Sequence, residues 1–175
     1  NVGIKVVGVT DQSNNSVIEK YCYNDDVNNC NVYGGLYQWA EMVQYLNGAT
    51  NTTSWNPVPT GNVQGICPVG WHLPTEDEFE SLKNYLGTPS GGKMKEAGFT
   101  HWASPNTGAT NSSGFTGLPG GWYSRWINTF EDLTTNADFW KVNEDGPSFI
   151  WGYSLSSDSE SLSWVGLTKE NGQSV

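Results

Sequence analysis

Apolar residues recur at helical spacing in two stretches of this chain. Leu36, Trp39, Ala40, Val43 and Leu46 follow one another at that spacing and predict a helix over about 34–46. Phe79, Leu82, Tyr85 and Leu86 form a second apolar face, directly after Pro74-Thr75. The start of this second helix is written into the sequence. Thr75 with Glu78 three residues on makes a capping box, and Glu76, Asp77 and Glu78 place negative charge where the helix dipole is positive. Gly87 stands where a helix-ending glycine belongs. Beyond it the pattern changes. Gly, Ser, Thr, Asn and Pro crowd 88–121, broken by apolar islands such as Phe115 and Leu118. From Trp122 onward, Phe139-Trp140, Phe149-Ile150-Trp151, Tyr153 and 162–167 read as short strands between turns. Helices followed by loop-rich β structure define an α+β fold. Alternation along one strand puts Trp151 and Tyr153 on the same face, so both should be buried or both exposed.

Charge narrows the function. Eight Lys and Arg face 18 Asp and Glu, a formal balance of −10. Nucleic acid needs clustered cations to displace counterions, so it is excluded as a partner, and anionic membrane surfaces fit no better. No apolar run is long enough to span a bilayer, and no basic-then-apolar signal segment opens the chain. Only 15% of residues are charged while 13% are aromatic, including nine Trp. Solubility therefore rests on Asn, Ser, Thr and Gly, a profile of secreted binding and surface modules. Both ends of the 175 residues read as cut.

No catalytic pattern stands out. The nucleophile elbow, the zinc-protease helix, the phosphate loop and the dinucleotide fingerprint are all missing. His72 and His101 are isolated, and neither is expected to be catalytic. Asn24, Asp25, Asp26, Asn28 and Asn29 offer oxygen ligands for calcium but lack the spacing of an EF-hand loop, so no metal and no cofactor is expected. Cys22 and Cys30 sit eight residues apart with turn formers between them. That segment can close a disulfide; free thiols in a reducing compartment are the other reading, and no Cys-x-x-Cys spacing favours a metal. Cys67 is left over.

The segment Gly65-Ile-Cys-Pro-Val-Gly-Trp-His-Leu-Pro-Thr-Glu-Asp-Glu-Phe79 resembles the Fibrobacter succinogenes major paralogous domain, a family abundant in Fibrobacteres and Bacteroidetes. The likeness extends to Tyr21-Cys22-Tyr23-Asn24-Asp25-Asp26 through Cys30, to Tyr33–Trp39, and to the run from Ser104 through Phe115 into Leu118-Pro119-Gly120-Gly121. The match departs at residues 50–61, which look like an enlarged loop, and at Trp140-Lys141-Val142-Asn143.

The resemblance implies a C-type-lectin-like fold, with two helices packed on short twisted antiparallel β structure and long loops. It implies a single domain over 1–175, truncated at both ends relative to the family, and a Cys22–Cys30 disulfide. Cys67 would then pair with a cysteine beyond Val175, where the family continues into Ser-Val-Arg-Cys. The Leu73-Pro74-Thr75 motif would bury Trp71, Leu73 and Phe79. The implied role is non-enzymatic: an extracellular, surface-displayed, adhesin-like module binding glycan or protein, or else a structural subunit packed against neighbouring copies in a surface filament. In a lectin-like fold the C-terminal half carries the ligand-facing loops, which places the binding surface at Trp126, Asn143, Glu144, Trp151, Tyr153 and Trp164. Trp126, set among Ser124, Arg125 and Asn128, has the most polar surroundings of these and should be exposed.

Overall fold

A computed structural model describes residues 2–175. The α-helices are α1 (Val27–Tyr33), α2 (Trp39–Met42), α3 (Glu76–Leu86) and α4 (Gly91–Met94). The capping box of α3 forms as the sequence predicts: Thr75 accepts from the Glu78 N–H, and the Glu78 carboxylate reaches back to the Thr75 N–H at 2.9 Å. Gly87 ends the helix at φ +69°, a conformation that costs a glycine little.

The helix expected over 34–46 is a correction. Asp26 caps α1 instead, and Gly34 terminates it at φ +92°. Leu36 and Tyr37 then run extended and form bridges to Tyr21 and Gln173. Only Trp39–Met42 remains helical, and Gln44 and Tyr45 leave it with left-handed backbones. Leu36 and Trp39 mimic one helical stripe, yet they serve different apolar clusters on either side of a bend.

The strands are β1 (Ile4–Lys5), β2 (Glu19–Lys20), β3 (Trp122–Ser124), β4 (Thr129–Glu131), β5 (Asn136–Phe139), β6 (Phe149–Ser156) and β7 (Ser163–Thr168). The first pair is parallel, β3–β4 is an antiparallel hairpin, and β5–β6–β7 is an antiparallel sheet. Residues 172–174 tie these pieces together, bridging Gly172 to Tyr123, Gln173 to Tyr37 and Ser174 to Phe139.

Apolar material packs on both faces of the three-stranded sheet. On one, Ile150 and Leu167 join Trp39, Met42, Leu73 and Trp140. On the other, Tyr153 and Leu155 join Met94, Trp102 and Phe79 of α3. The Phe79 and Tyr153 rings stack at 4.2 Å, with planes 23° apart. This contact fixes α3 over β6. It does not reach Trp151, which shares that face but is 47% exposed while Tyr153 is buried, so the expected common fate of the two rings is not met. Trp71 is a second correction. The turn that bonds its N–H to Pro68 carries the ring outward to 73% exposure, while Leu73 takes the core position.

The disulfide between Cys22 and Cys30 is formed, with the Cα atoms 5.0 Å apart. It joins the segment before α1 to the middle of that helix.

Candidate aromatic ledge at Trp151 and Trp164

Trp151 on β6 and Trp164 on β7 occupy one face of the antiparallel pair. Register sets Trp151 opposite Gly166 and Trp164 opposite Tyr153, so the indoles are diagonal neighbours. Gly166 leaves room beside Trp151. Trp164 is 39% exposed and rests against the Tyr153 ring at 4.7 Å. Phe149 braces Trp151 edge-on at 5.3 Å.

The two rings border an open depression of about 340 Å³, completed by Glu76 and Asp145. Glu76 opens α3, and Asp145 lies in the loop leading into β6. The carboxylates are positioned by a buried cation. Lys141 donates to Glu76 at 2.5 Å and to Asp145 at 3.1 Å, with its ammonium 5.4 Å from the centre of the Trp164 ring. Asp145 also accepts from the Trp151 backbone N–H at 2.8 Å. One network therefore fixes both acids and the start of the aromatic strand. Two acids against one cation leave a net negative rim. Chemically, the ledge offers flat apolar faces beside fixed acceptors, a combination suited to an uncharged polyol or a protonated amine.

The other residues expected at the binding surface have different surroundings. Tyr153 lies beneath the ledge and donates its hydroxyl to Glu80 at 3.0 Å; burial raises its phenol pKa well above the ordinary value. Asn143 accepts from the Glu76 N–H at 2.8 Å and so holds the first turn of α3. Glu144 is turned inward, paired with the buried Lys169 and accepting from the Trp55 N–H at 3.3 Å. Trp126 is 92% exposed at the β3–β4 turn, beside Arg125, which pairs with Asp11 at 2.6 Å. It does not line the Trp151–Trp164 depression.

The sequence reading missed Glu76, Asp145 and Lys141. Glu76 looked fully explained by the helix dipole, and a lone lysine between Trp140 and Val142 carries no spacing signal.

A second concave surface lies elsewhere. Trp71, Leu82, Phe115 and Phe139 wall an apolar groove of about 390 Å³ that also touches Cys67 and Val175. Cys67 is unpaired among the described residues, and partial burial raises its thiol pKa.

The molecule is thus an α+β domain with small sheets, long loops and an open aromatic ledge. No helix among the described residues is long and apolar enough to cross a membrane. The chain matches the Fibrobacter succinogenes major domain over residues 3–169 and belongs to that family. No curated protein and no solved structure matches it.

Proposed function

We propose that this domain is an extracellular, surface-displayed binding module, and that it receives a carbohydrate on the Trp151–Trp164 ledge. The observation that carries this reading is the pairing of two half-exposed indoles with two carboxylates held by a buried lysine. Pyranose rings present apolar C–H faces to aromatic rings and hydroxyl donors to carboxylates. The depression is shallow, which suits a sugar unit within a longer glycan. The lectin-like arrangement expected from the sequence, with ligands met by the C-terminal half, points to the same surface. An oxidising location outside the cell fits the Cys22–Cys30 bond.

The test is binding of neutral and amino-sugar glycans on an array, followed by calorimetry on any hit. Trp151→Ala and Trp164→Ala should each weaken binding at least tenfold, with the fold retained by circular dichroism. Full affinity in both variants would overturn the assignment. A second reading, a non-enzymatic subunit of a surface filament, draws on the exposed Trp126 and Ile127 at the β3–β4 turn. Contact with neighbouring copies would cover them. Concentration-dependent assembly lost in Trp126→Ala, with no glycan binding at all, would favour it.

A further inference from the structure

The Trp151–Trp164 ledge holds more negative charge than its lysine cancels. Glu76 and Asp145 share the single ammonium of Lys141, at 2.5 and 3.1 Å. That lysine is sealed in, with 1% of its side chain exposed, whereas 41% of Glu76 and 29% of Asp145 stay open to solvent. The cation is covered and the acids are within reach of a ligand. Acceptor capacity is left over as well, since a carboxylate has about four lone-pair positions. Glu76 Oε2 takes the lysine, and Oε1 takes no hydrogen bond among the described residues. Asp145 Oδ2 receives the Trp151 N–H at 2.8 Å, and Oδ1 lies 3.3 Å from the lysine.

The surroundings do not restore the balance. No histidine, arginine or other lysine lines the depression among the described residues. Asp77 and Glu80 join Glu76 in acting on the Tyr153 phenol beneath the ledge. Lys83, the nearest further cation on α3, is committed to Glu80 at 3.4 Å. The whole chain stands at −10.

Charge and shape together decide which sugar fits. A hydroxyl donates to a carboxylate but brings no charge. An N-acetyl group brings one N–H, and its carbonyl oxygen would meet acceptors. A uronate adds negative charge to a site already in excess. A protonated amine supplies several donors and the missing positive charge. The half-exposed Trp151 indole takes the C–H face of the same sugar, and its π-face attracts a cation rather than repelling it. We infer, resting on the carbohydrate reading of the ledge, that it selects amino sugars with a free, protonated amine: glucosamine-type units of a de-N-acetylated glycan. Glu76 Oε1 and the outer lone pairs of Asp145 receive the amine, and Trp151 receives the ring.

The experiment compares β-1,4-linked oligomers of glucosamine, N-acetylglucosamine, glucose and glucuronate, which share one backbone and differ in the groups they present. Calorimetry on the whole chain in mildly acidic buffer, which keeps the amines protonated, should rank the glucosamine oligomer first. It should bind about tenfold more tightly than the glucose oligomer, the step from a neutral to a charge-assisted hydrogen bond. The glucuronate oligomer should not bind. Glu76→Gln, with its fold checked by circular dichroism, should narrow the tenfold gap. Salt at about 1 M should narrow it in the wild-type chain, an arm that depends on no variant. Affinity for the glucose or N-acetylglucosamine oligomer equal to or above that for glucosamine would overturn the inference and leave the carbohydrate reading standing. Silence from all four oligomers would overturn both. An oligolysine peptide bound more tightly than the glucosamine oligomer would also overturn the inference, by assigning the acids to a basic polypeptide.

Discussion

The ammonium of Lys95 lies 5.3 Å from the centre of the Trp102 ring, and both residues are buried. Lys95 donates to the carbonyls of Thr107, Ser156 and Ser159 at 2.9, 2.7 and 2.8 Å. One side chain thus gathers the loop after α4 and the turn between β6 and β7. Desolvation lowers its pKa, while Asp158 and Glu160 favour the charged form. Lys95→Met should leave these carbonyls unmatched and cost about 3–5 kcal/mol in urea unfolding. Lys83→Met, which removes only a partly exposed pairing with Glu80, should cost about 0.5 kcal/mol or less.

Tyr153 and Trp151 should separate cleanly in stability. Tyr153→Ala removes the ring stacked on Phe79 and should cost about 3–5 kcal/mol. Trp151→Ala, at a half-exposed position, should cost about 1 kcal/mol or less. Equal losses in denaturant titrations would mean that α3 does not end its cover at Tyr153.

Loss of the disulfide should be felt even though its loop is short. Cys22→Ser together with Cys30→Ser should lower stability by about 2–3 kcal/mol, read as a shift in denaturation midpoint. Peptide mapping of non-reduced protein should recover Cys22 and Cys30 cross-linked.

Asp138 provides the pH test. It is buried on β5 with Oδ1 unpartnered, and burial pushes its pKa from 3.8 up to about 6, against the opposing pull of Ser154. A carboxyl that binds its proton more tightly when folded stabilises the fold at acid pH. That contribution is complete below about 3.8 and is lost as pH rises through about 6. Asp138→Asn should therefore match the wild type at about pH 3.5 and be more stable by about 2–3 kcal/mol at about pH 7. A constant difference across that range would contradict the assignment.

How far the sequence could be read depended on whether a signal was local. The capping box of α3, its terminal Gly87 and the exposure of Trp126 follow from neighbours within a few residues, and all appear in the structure. The break at Gly34 was hidden because Leu36 is held by Tyr21 and Tyr37 by Gln173, contacts invisible to periodicity. Trp151 and Tyr153 alternate correctly but differ in burial because α3, from far upstream, covers only one of them. The ledge was half legible. Its indoles stood out by residue type, whereas Lys141, Glu76 and Asp145 acquire meaning only when the fold brings them together.

The bridges made by residues 172–174 also set an order of events. Tyr37 and Gln173 exchange both backbone hydrogen bonds, at 2.8 and 3.0 Å, and Ser174 bonds to Asp138 at 3.1 Å. Closing contacts so distant in sequence carries a loop-closure cost that slows folding. A chain emerging from the ribosome or a translocation channel, N-terminal end first, cannot close its central junction until residue 174 is free. Until then the backbone groups of Tyr37, Tyr123 and Asp138 lack these partners, so the last residues of the chain complete the junction between its early and late segments.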